Sequence, residues 1–110
     1  MKNSRVLWWA FAGLLGLSSI NEAFAAGHWA RHHPRRAEVN HRLHHQNERI
    51  NQKLIHKKMT YQEGSKLKQE DRQIRGEERA MARQHHGHIT RGEQRALNSQ
   101  LNGVSQDIGH

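Results

Sequence analysis

The chain has 110 residues, with 18 lysines and arginines, 10 aspartates and glutamates, 11 histidines, one proline and no cysteine. This is the length of a single domain, and the net charge of +8 makes it a strongly basic one. Without cysteine the chain cannot form a disulfide framework, a cysteine-ligated zinc or iron–sulfur site or a thiol nucleophile, nor carry a lipid on an N-terminal cysteine.

The first 25 residues have the three parts of a secretory signal peptide. Lys2 and Arg5 form a positive start, Val6 to Leu17 is an apolar stretch of twelve residues, and Ala23-Phe24-Ala25 has the small-x-small form that signal peptidase cleaves. An uncleaved membrane anchor is the alternative, but a helix of twelve residues rises only about 18 Å, against a hydrocarbon core of about 30 Å. The sequence therefore predicts a signal peptide, residues 1–25, and a periplasmic or secreted protein.

Three apolar stripes with helical spacing predict an all-α fold for the remaining chain, although its low content of large aliphatic residues is typical of disorder. The helices are expected over residues 34–56, 61–84 and 91–108, folded as antiparallel hairpins into a small three-helix bundle. A disordered tail, residues 26–33, would precede the helical domain, residues 34–110. The stripes consist of Val39, Leu43, Ile50 and Leu54, then Leu67, Ile74 and Met81, and finally Leu97, Leu101, Val104 and Ile108.

The second and third helices begin with the same capping pattern. Thr60 is followed by Glu63, and Thr90 by Glu93, which is the spacing of a capping box. The two boxes are 30 residues apart, and Leu67 lies 30 residues before Leu97. This offset indicates a weak internal duplication of a helix-turn-helix unit, with chance similarity between two basic helices as the alternative.

Several segments resemble a set of small exported bacterial proteins of unknown function. The segments are His33-Pro34-Arg35-Arg36-Ala37-Glu38-Val39-Asn40 near the start of the helical domain and Gly87-His88-Ile89-Thr90 with Glu93-Gln94 near its end. This resemblance covers nearly all of the chain after the signal peptide. It implies an all-helical, exported protein and carries no activity.

A second, looser resemblance is to the second half of an EF-hand calcium loop. In Gly87-His88-Ile89-Thr90-Arg91-Gly92-Glu93 the glycine, isoleucine, threonine and glutamate match that half-loop. The positions that should hold aspartate or asparagine ligands hold Ala82, Gln84 and His86 instead. Calcium is therefore not expected as a cofactor, and an EF-hand-like pairing of Met59 with Ile89 is the alternative that remains open.

A third resemblance is to periplasmic stress proteins with repeated LTxxQ motifs, a helical-hairpin family that includes small chaperones and histidine-rich, zinc-responsive members. Met59-Thr60-x-x-Glu63 and Ile89-Thr90-x-x-Glu93 are similar to this motif. Leucine is replaced by methionine or isoleucine, and glutamine by glutamate. The same residues are also simply a good helix cap.

The histidines are the strongest chemical signal in the sequence. His41 and His45 are four residues apart, so on a helix they project from one face and can share a metal ion, and their position opposite Leu43 places them on the solvent side. Imidazole binds copper, nickel and zinc. The alternative is that the histidines only decorate a solvated surface. A second cluster precedes Thr90 and consists of His85, His86 and His88. A third cluster lies in the tail and consists of His28, His32 and His33.

The predicted cleavage site creates one further candidate ligand. Cleavage after Ala25 would expose Ala26-Gly27-His28, with a free amine at the first position and histidine at the third. This resembles the amino-terminal copper- and nickel-binding motif, in which the amine, two deprotonated amides and the imidazole of His28 form a square-planar site. Such a site selects Cu(II) or Ni(II) rather than zinc.

Lysine and arginine form an extended basic surface that would attract polyanions. Acidic proteins and anionic envelope surfaces are the expected partners, while a homo-oligomer is a further alternative. Sequence-specific binding of nucleic acid is not expected, because Trp29 and Tyr61 are the only aromatic rings after the signal peptide that could stack on bases. The cations are Arg35, Arg36, Arg42, Arg49, Lys53, Lys57, Lys58, Lys66 and Lys68.

An enzyme is the least expected class. Asp71 and Asp107 are the only aspartates, Arg42 follows His41 so that no HExxH motif exists, and there is no glycine-rich phosphate loop. The sequence predicts a non-enzymatic exported protein that binds transition-metal ions in an envelope metal or stress response. A chaperone-like or polyanion-binding helical protein without metal is the alternative.

Overall fold

The computed structural model describes residues 27–109, and this part of the chain is helical with no strand. The main elements are α1 (Pro34–Ile55), α2 (Tyr61–Gln84) and α3 (Arg91–Ile108). The predicted all-α fold is confirmed, and the predicted helix bounds differ from these only in that α1 ends one residue earlier. The predicted signal peptide lies outside the described residues. Among the helices described, none is long and apolar enough to cross a membrane.

The segment before α1 is helical where it is described. Residues 27–32 form helix, and they belong to a compact unit separate from the one that starts at His33. The predicted disorder of residues 26–33 is therefore not confirmed. His33 occupies the N-cap position of α1, and Pro34 follows as the first helical residue, where its missing amide hydrogen costs no hydrogen bond.

Local capping explains where α2 and α3 begin. The Thr60 hydroxyl accepts a hydrogen bond from the Glu63 amide at 3.1 Å, and the Thr90 hydroxyl accepts one from the Glu93 amide at 3.1 Å. In α3 the box is complete, because Glu93 Oε1 also accepts a hydrogen bond from the Thr90 amide at 2.8 Å. Each cap satisfies amides that the first turn leaves without a helical partner.

Both α1 and α2 end in a turn that contains one residue in the left-handed conformation. In this turn a backbone amide beyond the helix donates a hydrogen bond to a carbonyl of the last helical turn. The Lys58 amide donates to the Lys53 carbonyl at 2.8 Å, and Lys57 between them has φ of 56°. The Gly87 amide makes the equivalent bond after α2, where His86 also has φ of 56°. These are Schellman motifs, which most often place glycine at the left-handed position. Here lysine and histidine occupy it at a conformational cost of about 1 kcal/mol each.

Contacts between the helices define the topology. Arg36 near the start of α1 pairs with Glu78 near the end of α2, so these helices are antiparallel. Glu38 accepts a hydrogen bond from Asn98 in the first half of α3, and Lys53 near the end of α1 donates to the carbonyl of Ile108 at the end of α3. Helices α1 and α3 therefore run in the same direction, and α2 runs opposite to both.

The core contains residues from all three helices and from the connection before α3. Leu54, Met59 and Met81 pack against it while remaining partly exposed. Two large apolar residues, Ile55 and Tyr61, lie outside it and are exposed. The buried hydrophobic residues are Val39, Leu43, Ile50, Leu67, Ile74, Ala82, Ile89, Leu97, Leu101, Val104 and Ile108.

Polar residues fill three further positions in the interior: Gln46, Asp71 and Glu78 are at most 3% exposed. Gln46 interrupts the apolar stripe of α1 and donates from Nε2 to the Leu101 carbonyl at 2.7 Å. Asp71 and Glu78 alternate with the apolar residues on the buried side of α2. The interior is therefore part hydrophobic and part polar, and its polar part contains two carboxyl groups.

The proposed EF-hand-like pairing of Met59 with Ile89 is wrong. Met59 precedes α2 and Ile89 follows it, and the 24 residues of α2 span about 36 Å. The two residues thus lie at opposite ends of the helix. In an EF-hand pair the corresponding residues are neighbours, so this fold does not bring the two turns together as calcium loops.

Candidate metal-binding surface

The predicted pair on α1 is formed. His41 and His45 are both exposed, as expected from their position opposite the apolar stripe, and their ring centroids are 4.8 Å apart with the planes at 70°. Two nitrogens that each bind zinc at about 2.1 Å lie about 3.4 Å apart in tetrahedral geometry. Rotation of the two exposed rings can bring one nitrogen of each to this separation without moving the helix.

The carboxylates nearest this pair along α1 are engaged elsewhere. Glu38 Oε1 accepts hydrogen bonds from Gln94 and Asn98 of α3 at 3.0 and 2.9 Å. Glu48 Oε1 lies 2.9 Å from Nε2 of His44, and both side chains are exposed. Among the residues that the structure describes, no third histidine, aspartate or glutamate joins this pair as a ligand set, and an ion bound there would complete its coordination with water.

The predicted cluster at the α2–α3 connection is divided into two pairs. His88 stacks on His33, with ring centroids 4.7 Å apart and planes at 15°. His85 Nε2 instead lies 3.4 Å from Glu93 Oε2. His86 occupies the left-handed position of the Schellman motif and is exposed. The three neighbouring histidines therefore do not converge on one point.

Glu93 has two roles at this connection. The hydrogen bond from the Thr90 backbone amide holds the pKa of the Glu93 carboxyl below its usual value, and the Thr90 hydroxyl and nearby His85 act in the same direction. One carboxylate oxygen caps α3 while the other faces the imidazole of His85. A carboxylate that stays ionised beside an imidazole is a suitable second ligand for a divalent ion.

His28 belongs to the helical residues before the bundle. Its ring lies 4.5 Å from that of His32, centroid to centroid, with the planes at 61°. Ala26, which would supply the free amine of the copper motif, lies outside the described residues. The pairing of His28 with His32 adds a second imidazole that could bind the same ion.

The α1 pair is predictable from sequence because its geometry is local, whereas two other contacts are not. The sequence places His33 in the tail and Glu93 in a helix cap, but the fold also places His33 against His88 and Glu93 near His85. Within the described residues no group of three or more histidine, aspartate or glutamate side chains is positioned to hold one metal ion. The candidate surface therefore consists of pairs.

The structure also divides the predicted basic surface. Arg36 forms a two-pronged ion pair with Glu78, at 3.0 and 3.1 Å, and donates to the Gly87 carbonyl. Arg49 and Lys53 donate to carbonyl groups at the end of α3, including that of Gly109 at 2.6 Å from Arg49 Nη2. Cations at that position stabilise the negative end of the helix dipole. Part of the basic surface is thus structural.

A scan against models of protein families and searches of curated proteins and of solved structures found no match to this chain. The resemblances to small exported bacterial proteins and to LTxxQ stress proteins stay predictions. A fold of this kind hosts many functions, so function has to be inferred from the chemistry of the side chains.

Proposed function

We propose that this protein is a non-enzymatic, exported helical protein that binds copper, nickel or zinc ions through surface histidines in an envelope metal or stress response. The observation that carries the proposal is the pair His41 and His45, whose exposed rings lie 4.8 Å apart on one face of a packed helix. Because α1 packs against both other helices, the backbone positions that carry the two rings are fixed before any ion binds. This preorganisation favours chelation over binding to separate imidazoles.

Two further pairs support the proposal. His33 with His88, and His85 with Glu93, lie close together around the α2–α3 connection. His28 remains a proposed ligand through the amino-terminal motif, and His86 through its exposed ring. A protein with several two-ligand sites of this kind suits the capture and buffering of ions better than the permanent retention of one, because water completes the coordination and exchanges readily.

The double substitution His41→Ala/His45→Ala is expected to weaken the tightest zinc binding by at least about tenfold at pH 7.5. The second ligand of a chelate acts at a high effective concentration, and this advantage is lost with the pair. At pH 5.5 zinc affinity of the unaltered protein should also fall, because protonated imidazoles cannot bind a metal ion. Native mass spectrometry with zinc, copper and nickel reads both affinity and stoichiometry.

His56→Ala is the matched control for the α1 pair. It removes one exposed imidazole just beyond the end of α1 and leaves both members of the pair in place. We expect it to change zinc affinity less than about twofold. Equal losses in both variants, or the same zinc affinity at both pH values, would show that His41 and His45 are not the ligands.

Copper is expected to bind one to one at the amino terminus if the protein begins at Ala26. His28→Ala should then abolish the tightest copper site while leaving zinc binding at the α1 pair unchanged, because the two sites share no ligand. The measurement is a copper titration followed by absorption in the visible range, after the N-terminus has been determined by mass spectrometry. Unchanged tight copper binding in a His28→Ala protein that begins at Ala26 would exclude the motif.

A further inference from the structure

Lysine is concentrated at one end of the bundle. All five lysines of the described residues lie between residues 53 and 68, where α1 ends and α2 begins. Lys57, Lys58 and Lys66 are exposed, and Lys68 is half-buried. Within the described part of the chain none of these four side chains forms a hydrogen bond or an ion pair. Their charges are therefore available to a partner.

The other cations of the predicted basic surface are largely committed to the fold. Arg36 is paired with Glu78, Arg49 and Lys53 donate to the end of α3, and Arg42 hydrogen-bonds to the Asn102 side chain. To bind an external anion, these cations would have to break their contacts within the protein. The available positive charge in the segment from α1 to the start of α2 is thus concentrated at the turn.

The same end of the bundle exposes apolar side chains. Ile55 is 69% exposed and Tyr61 is 80% exposed, and these are the two exposed large hydrophobic residues among those the structure describes. A shallow groove beside Tyr61 is lined by Leu54 and Met59, by Lys57 and Lys58, and by Glu63. Tyr61 thus shares this groove with two of the lysines, and Ile55 lies at the end of α1, two residues before Lys57.

We propose that this end of the bundle docks on the surface of an anionic phospholipid bilayer. Tyrosine is preferred at the level of lipid headgroups, where its ring is buried and its hydroxyl stays hydrated. Isoleucine can enter the boundary of the acyl chains, and lysines around it attract the anionic headgroups. We term this surface the lysine tip; it consists of Ile55, Lys57, Lys58 and Tyr61.

The composition of the lysine tip favours a bilayer over other polyanions. A partner recognised by charge alone would not account for the exposure of the apolar side chains of Ile55 and Tyr61. Single-stranded nucleic acid is bound through several stacked aromatic rings, whereas the tip has one. Glu63 is the one carboxylate that lines the groove shared by Lys57, Lys58 and Tyr61. The docking involves neither the His41–His45 pair nor its metal, so it goes beyond the proposed function.

Binding to vesicles tests the proposal. The probe is the protein isolated from the extracytoplasmic fraction, mixed with vesicles of phosphatidylcholine alone or of phosphatidylcholine with phosphatidylglycerol, and separated by sedimentation. We expect binding that requires phosphatidylglycerol and weakens as salt screens the charges. Lys57→Gln/Lys58→Gln should lower the partition coefficient about 25-fold, since each lysine near an anionic surface contributes about fivefold.

Arg91→Gln/Arg95→Gln is the matched control for charge. It removes two exposed cations from the first turns of α3, at the end of the bundle opposite the lysine tip, and changes the net charge by the same amount. We expect a change in partition coefficient of less than about twofold. All variants should have the same N-terminus by mass spectrometry, so that residues 1–26 contribute equally to every measurement.

The apolar part of the tip is tested separately. Tyr61→Trp in a Trp29→Phe background should show a blue shift of tryptophan fluorescence on adding anionic vesicles, because the ring leaves water. Ile55→Ser should weaken binding severalfold while leaving the far-UV spectrum unchanged, since the side chain is exposed. Three results would overturn the proposal: equal binding to neutral vesicles, equal losses in the lysine and arginine variants, or a dimer that Ile55→Ser dissociates without any vesicle binding.

Discussion

Glu78→Ala is expected to destabilise the bundle by about 3–5 kcal/mol, the cost typical of breaking a buried ion pair by removing one partner. Glu78 is 1% exposed, and its two carboxylate oxygens accept hydrogen bonds from Arg36 at 3.0 and 3.1 Å. Removal of the carboxylate would leave the partly buried guanidinium of Arg36 without its anion. Urea denaturation followed by far-UV circular dichroism at pH 7 measures the loss.

Glu48→Ala is the control for this substitution, because its carboxylate is exposed and meets only His44. We expect a change within about 0.5 kcal/mol. Replacing both partners, as Arg36→Met/Glu78→Leu, should recover most of the stability lost in Glu78→Ala, since apolar pairs often replace buried ion pairs without net cost. A loss below about 1 kcal/mol in Glu78→Ala would contradict the buried pair.

Asp71→Asn is expected to stabilise the protein by about 3 kcal/mol at pH 8. The Asp71 side chain is 1% exposed, and within the described residues no donor reaches either of its oxygens. Burial raises its pKa from the usual 3.8 to about 6, although the charge of Arg75 opposes the shift and that of Glu70 adds to it. Each pKa unit corresponds to about 1.4 kcal/mol between the two protonation states.

The pH dependence follows from the direction of this shift. Because the pKa of Asp71 is higher in the folded than in the unfolded protein, the folded state binds the proton more tightly. The resulting stability is fully present below about pH 4 and is lost as the pH rises through about 6. Asparagine does not titrate, so the difference between the two proteins should be largest at pH 8 and should largely disappear by pH 4.

Asp107→Asn provides the control, because Asp107 is the only other aspartate of the chain and is exposed. It should change stability by no more than about 0.5 kcal/mol at either pH. Urea denaturation at pH 8 and pH 4 measures both variants against the unaltered protein. An Asp71→Asn protein that is less stable than the unaltered protein at pH 8 would show that the Asp71 carboxylate has a favourable partner.

The two carboxyl groups inside α2 illustrate what could not be predicted from sequence. The heptad Leu67, Ile74 and Met81 indicates which side of α2 is buried, and Asp71 and Glu78 fall on that side as well. Helical periodicity alone does not tell whether such a carboxylate reaches solvent or a buried cation. Arg36, which satisfies Glu78, is 42 residues away in the sequence, and only the antiparallel packing of α1 and α2 brings it there.

The histidine contacts also include one that is predictable from the sequence and one that depends on tertiary packing. The α1 pair was predictable, because residues four apart on one helix are neighbours whatever the rest of the chain does. The contact of His88 with His33 was not, since it depends on how the α2–α3 connection folds back onto the start of α1. The group of lysines near the α1–α2 turn can be seen in the sequence. The sequence does not show that arginines of the same basic surface are engaged in contacts within the fold.

The fold class and the limits of the three helices follow from local features of the sequence. Thr60 and Thr90 start helices through hydrogen bonds to residues three positions away, Pro34 starts α1 through its fixed backbone angle, and the apolar stripes depend only on spacing within each helix. The packing of the helices against one another sets which polar groups are buried, which imidazoles meet and which cations remain available. Those outcomes depend on side chains far apart in the sequence, whose distances are set only when the helices pack.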